Sequence, residues 1–170
     1  MATQEQPLTD YLRTYGMTDP IELIYFWRNE GITPLTVVKG YAELFLDGTL
    51  GTLTSEQHDA MKAIDHCCRE AIVKWQDFGD YFHLGQPDEQ VLSPTEVDEE
   101  GRLYLHEQIF EKAPISLHTV KEFSGLLLRN KLGTLTDEQQ KVIEIINRWC
   151  VMAIERWRQP IAFFSKPERA

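Results

Sequence analysis

Reactive side chains cluster in few places along this chain. The densest group is His66-Cys67-Cys68, an imidazole and two thiols in succession. Metal sites on a helix draw ligands three or four residues apart, because those positions share a face. Three consecutive residues point in three directions, so no metal is expected here. Cys68 also recurs as Cys150 at the same place in an apolar repeat, which makes it a small, soft core residue. His58, His66, His83 and His106 have no motif around them. Asp65, Glu70, Asp77 and Asp80 fall off the apolar positions of their segment, while Glu96, Asp98, Glu99 and Glu100 sit in an acidic stretch with two prolines. Both sets read as solvated charge. Trp75 and Trp157 occupy equivalent apolar positions and are most simply core aromatics. No cofactor is implied.

These side chains are set on a duplicated framework. LGTLTSEQ (50–57) and LGTLTDEQ (132–139) are nearly the same octapeptide, 82 positions apart. At that offset, 18 of the 48 positions between Leu35 and Phe82 are identical to their partners, so the chain is an internal duplication. Within each copy the apolar period is helical. Gln57, Met61, Ile64, Cys68, Ala71, Trp75, Phe78 and Phe82 recur at steps of four and three. Gln139, Ile143, Ile146, Cys150, Ala153, Trp157 and Phe164 keep the same rhythm, the seam of a helix lying along a partner. Thr54 and Thr136 each precede a Gln by three residues, a capping box that starts a helix. Gly51 and Gly133 mark the turn before it. Upstream, Asp19-Pro20 opens a stretch from Ile21 to Leu46, and its counterpart runs from about Arg102 to Leu128. Pro34 and Pro114 are expected to interrupt and bend these two helices.

The expected fold is all-α: an antiparallel four-helix bundle of two homologous hairpins related by a pseudo-twofold axis. Residues 18–83 form the first hairpin and 102–165 the second. Residues 84–101 form an acidic linker with a short helical turn after Ser93-Pro94. Residues 1–17 are an N-terminal extension in which Leu8, Tyr11 and Leu12 pack locally. A formal charge of −10 disfavours nucleic acid and anionic membranes. No apolar run approaches the roughly 18 residues of a membrane span, and the first residues lack the pattern of a signal peptide. Three cysteines, an odd number, fit a reducing compartment. A cytoplasmic monomer containing an intramolecular pseudo-dimer is the expectation.

The first copy, NEGITPLTVVKGYAELFLDGTLGTLTSEQ (29–57), resembles the dimerisation and histidine phosphotransfer domain of bacterial sensor histidine kinases. That family carries a motif of the form H-E-[LIF]-[RK]-[TS]-P-L, then G-Y-[AS]-[ED]-L-L, an L-G-x-L-T-like turn and a helix opening with E-x-Q. Glu30, Thr33, Pro34, Leu35, Gly40, Tyr41, Ala42, Glu43 and Leu44 match in register, as do Leu50, Gly51, Leu53, Thr54, Glu56 and Gln57. The resemblance covers about 55 residues of the first copy and reaches the second through the internal alignment. The phosphoaccepting His falls on Asn29, whose amide nitrogen has no nucleophilic lone pair, and Gly31 and Ile32 also depart from the motif. In the second copy the constant offset places Glu111 there, and alignment on Pro114 places Ile109; neither is His. The chain also lacks the Asn- and Gly-rich boxes of the ATP-binding domain that such kinases carry.

The resemblance therefore implies a silent relative, not an enzyme, with the duplication replacing the family's homodimer. Its partner would be a response-regulator receiver or a sensor histidine kinase, held without phosphoryl transfer on a face around Asn29, Glu30, Thr33 and Pro34. Two alternatives stand beside it. His118-Thr119-Val120-Lys121 resembles the H-x-x-K core of histidine phosphotransfer domains, in which His takes phosphate and Lys steadies it; Glu122 stands where that core has Gly. A bundle that is purely structural, or that binds a small ligand between its helices, is the other.

Overall fold

The computed structural model describes residues 5–165, so residues 1–4 of the expected N-terminal extension lie outside the described residues. The described chain is all-helical: α1 (Glu5–Tyr15), α2 (Pro20–Leu46), α3 (Ser55–Tyr81), α4 (Glu99–Leu105), α5 (Lys112–Leu128) and α6 (Asp137–Phe164). A 3-10 turn at Pro94–Glu96 precedes α4, and a π-turn at His106–Phe110 joins α4 to α5.

Local chemistry sets the helix ends. Asp19 accepts a hydrogen bond from the Ile21 amide at 2.9 Å, with Pro20 at the first helical position of α2. Both expected capping boxes form. Thr54 and Gln57 bond reciprocally at 3.0 and 3.2 Å, and Thr136 and Gln139 at 3.0 and 3.1 Å. The repeated turns also match in backbone. Gly48 and Asn130, 82 apart, both have positive φ (83° and 55°), as do Gly51 and Gly133 (92° and 106°). Gly and Asn are the residues that tolerate this left-handed region.

Every seam position named from the sequence is buried on α3 and α6. α2 packs against α3 and α6, and α5 packs against the same two helices. The two hairpins thus face each other over one continuous core. Within it Trp75 and Trp157 stack with ring centroids 3.6 Å apart and planes 14° from parallel. Gly31 makes room for this stack, since a Cβ there would fall inside the Trp75 indole. Each large side chain fully buried in such a core contributes about 1.5–3 kcal/mol. α1 covers one end, with Tyr11 edge-on to Trp27 (5.7 Å) and Phe163 (6.0 Å).

The structure departs from the sequence reading in three places. α2 runs through Pro34 without interruption. The second copy does break, but before Pro114, at the π-turn where the Glu111 amide bonds to His106 O at 3.0 Å. Pro114 then lies in the first turn of α5, where its missing N–H is not needed. Consecutive Ile109 and Phe110, at the end of the π-turn, are both buried in the core. Finally, a helix begins within the stretch expected as linker. α4 starts at Glu99 behind an Asp98 cap, Leu84 and Val97 are buried, and Leu92 N bonds to Phe82 O at 3.1 Å. The helical turn after Ser93-Pro94 is present, with Ser93 as its cap.

Candidate functional site

The register of the second copy follows from burial. At the offset of 82, Leu23, Trp27, Gly31, Leu35, Val38, Ala42 and Phe45 are buried, and so are Leu105, Ile109, Ala113, Leu117, Val120, Ser124 and Leu127. Alignment on Pro114 would instead pair buried Trp27 and Gly31 with exposed Glu107 and Glu111. A thiol contact repeats at the same spacing: Cys68 Sγ donates to Leu35 O at 3.1 Å and Cys150 Sγ to Leu117 O at 3.2 Å. Glu111, not Ile109, is therefore the counterpart of Asn29.

Both residues are exposed. Thr33, also exposed, donates its hydroxyl to Asn29 O at 2.9 Å, which leaves the Asn29 amide group outside this bond. Glu30 reaches from α2 to Arg156 of α6 at 3.5 Å. Pro34 is buried and offers no side-chain surface. Of the four residues expected on this face, Asn29 and Thr33 are exposed, Glu30 is half-exposed and ion-paired, and Pro34 is buried. Glu111 stands 3.6 Å from the His106 imidazole.

His118 and Lys121 are exposed, one turn apart on α5. The field of Lys121 reaches the core, where it opposes part of the upward shift of the Cys150 thiol. Burial pushes that thiol up to about 12 all the same. Cys68 is likewise pushed up to about 12, first by burial and then by the charges of Asp65 and Cys150. Burial also raises half-buried Cys67, with help from Glu70. These thiols are protonated and poor nucleophiles at neutral pH. Among the described residues no group of three or more His, Cys, Asp or Glu side chains could hold a metal ion.

Two features escaped the sequence reading. The first is polar and lies between the repeated turns. Gln57 and Gln139 are each 2% exposed. While its oxygen closes its own capping box, each amide nitrogen crosses to the other hairpin. Gln57 Nε2 donates to Thr134 O at 3.2 Å, and Gln139 Nε2 donates to Leu50 O and Thr52 O at 3.1 and 3.3 Å. The second is a surface hollow of about 530 Å³ between α3 and α5, lined by His66, Arg69, Glu70, Val73, Lys74, Lys112 and Ser116. Ser116 Oγ donates across it to Glu70 at 3.1 Å. Arg69 is held by Asp65 (2.9 Å) and Glu43 (2.8 Å). A second, acidic hollow of about 440 Å³ lies beside Asp98, Glu99, Glu100 and Leu103. The α3–α5 hollow had a signal in the sequence, because the internal alignment sets Lys112 against Glu30 and Lys74 against Arg156.

No helix among the described residues is long and apolar enough to cross a membrane. Comparison with known proteins finds no matching family model, no matching curated protein and no matching solved structure.

Proposed function

We propose that this chain is a non-catalytic interaction module of two-component signalling. It would hold a response-regulator receiver or a sensor histidine-kinase domain without exchanging phosphate. The reading takes the molecule as an antiparallel four-helix bundle, two homologous hairpins about a pseudo-twofold axis, in which duplication stands in for a homodimer. Reciprocal Gln57 and Gln139 bonds between the turns support that pairing. The observation that carries the functional reading is the pair of equivalent, exposed positions Asn29 and Glu111. Each sits where the resembled family sets its phosphoaccepting imidazole, and neither is a histidine. A surface kept without its nucleophile is a binding surface, and occupancy alone biases a partner's state.

The test is a titration of the full chain against purified receiver and kinase dimerisation domains from the same genome, read by calorimetry. Saturable binding to a member of either class, with no phosphate appearing on the chain, is the expected result. Absence of binding across both panels refutes the reading.

Histidine phosphotransfer is the second reading, favoured by the exposure of His118 and Lys121 on one helix a turn apart. Incubation with a phosphorylated receiver, followed by acid-labile phosphate measurement on the wild type and on His118→Ala, separates the two. Label that depends on His118 establishes transfer; its absence leaves binding alone.

A further inference from the structure

The offset of 82 residues compares the two faces between the hairpins position by position, and their chemistry differs. On the α2–α6 face, Glu30 meets Arg156 at 3.5 Å. The equivalent positions on the α3–α5 face are Lys112 and Lys74, which line the same hollow of about 530 Å³. Two ammonium groups cannot pair, and each turns to a neighbour in its own segment: Lys74 to Asp77 at 3.0 Å and Lys112 to Gln108 of the π-turn at 2.8 Å. Glu70, which also lines the hollow, is engaged by His66 at 3.2 Å and by Ser116 at 3.1 Å. One face is therefore bridged by an ion pair, while the other holds a groove crossed only by the Ser116–Glu70 hydrogen bond, with Lys74 and Lys112 both on its wall and not paired with each other.

Apolar surface accompanies this charge. Val73 lines the groove and is 47% exposed; Ile115, next to Ser116, is 66% exposed. Their equivalents on the other face are the polar Glu155 and Thr33. The π-turn at His106–Phe110 ends just before this segment and carries Gln108, the residue that holds Lys112. Such turns are frequent at functional sites.

We propose that the α3–α5 groove docks an α-helix of a partner protein, one that sets an apolar side chain against Val73 and a carboxylate between Lys74 and Lys112. The carboxylate supplies the cross-helix charge pairing that Glu30 and Arg156 already make on the opposite face. On a chain of formal charge −10, an acidic helix is repelled by the surface at large and admitted where cations gather, which gives register as well as affinity. The inference rests on the partner-binding reading and adds the face, which lies between the two hairpins and not between the helices of one.

The test uses the full chain labelled with 15N and a synthetic amphipathic helix with leucine along one stripe and glutamate beside it. A counterpart peptide carries lysine in place of every glutamate. The acidic peptide is expected to shift amides around Val73, Lys74, Lys112 and Ile115, and the lysine peptide to leave them in place. Lys74→Glu with Lys112→Glu should weaken binding at least about tenfold while the far-ultraviolet circular dichroism is unchanged; Glu155→Gln, exposed on the other face, should leave affinity as it was. The proposal is overturned by no shift, by shifts elsewhere, by equal binding of both peptides, or by the same shifts with acetate or inorganic phosphate alone. Receiver or kinase domains that bind wild type and the double variant equally would refute this face and leave the partner reading standing. An acidic helix that docks as described while every receiver and kinase domain fails would do the reverse.

Discussion

Replacing Gln139 by glutamate isolates what the buried glutamines do. The carboxylate is almost isosteric, and it accepts from Thr136 N–H as the amide oxygen does, so the start of α6 is preserved. It has no donor for Leu50 O and Thr52 O, which now receive Gln139 Nε2 at 3.1 and 3.3 Å. Two carbonyls lose their partner at a site where the side chain is 2% exposed, and a negative charge faces them. At about 0.5–1.5 kcal/mol for each bond lost and about 1–3 for a buried group left unsatisfied, the expected cost is about 2–4 kcal/mol. Urea unfolding followed by circular dichroism reads this as a lower midpoint with an unchanged slope. In a chain of this size it corresponds to a fall of roughly 5–15 °C in Tm. The deficit should also depend on pH. Carbonyls facing the new carboxyl raise its folded pKa above its unfolded value of about 4.3. The protonated form can donate to one of them, so stability is present below about pH 4 and is lost as pH rises through the raised value. Gln76→Glu on the exposed face of α3 is the control and should stay within about 0.5 kcal/mol of wild type. A Gln139→Glu variant as stable as that control at pH 7, or one whose deficit is the same at pH 4, would refute the crossing bonds as a fastening of the two hairpins.

Other outcomes follow from the core and its thiols. Gly31→Ala puts a methyl into the Trp75 indole and should destabilise by about 3 kcal/mol or more, whereas Gly40→Ala, with open space at its Cβ in α2, should stabilise by about 0.5–1 kcal/mol; thermal melts of the two variants separate the cases. Cys68 and Cys150 have folded pKa values pushed up to about 12, above the unfolded value near 8.5. Their stabilising effect is complete below about pH 8.5 and is lost as pH rises toward 12, with a slope of up to about 1.4 kcal/mol per pH unit for each thiol. The Cys68→Ala, Cys150→Ala double variant should flatten this alkaline loss in denaturant titrations. Iodoacetamide labelling of the native protein read by peptide mass spectrometry should modify half-buried Cys67 first and reach the two buried cysteines only on unfolding.

Much of the framework was legible in the amino-acid order because it rests on local rules. A threonine three residues before a glutamine caps a helix whatever surrounds it, and both boxes form. A seam at steps of four and three must be buried, and from Gln57 to Phe82 and from Gln139 to Phe164 every named position is. Where the sequence reading failed, a distant group overrode a local preference. Pro34 stays inside an unbroken helix because the flanking turns of α2 are held in the core by Trp27, Gly31 and Leu35. The break assigned to Pro114 lies upstream of it, at a π-turn whose Ile109 and Phe110 are both held in the core. Arg156, more than a hundred residues away, takes the Glu30 carboxylate, a pairing that no local rule foretells. Pro160 went unremarked within the periodic run of α6 and proves to be buried there.

The order of residues alone determined that the chain is helical, that it is written twice, and where each long helix begins, since caps, turns and apolar period act over a few neighbouring positions. Only the tertiary structure decided which carbonyls Gln57 and Gln139 reach, which copy of a surface is bridged by an ion pair and which holds a groove, and which face keeps Val73 and Ile115 in solvent. Those outcomes depend on pairs far apart in the chain, and a pair exists only when packing has set its two members within reach of each other.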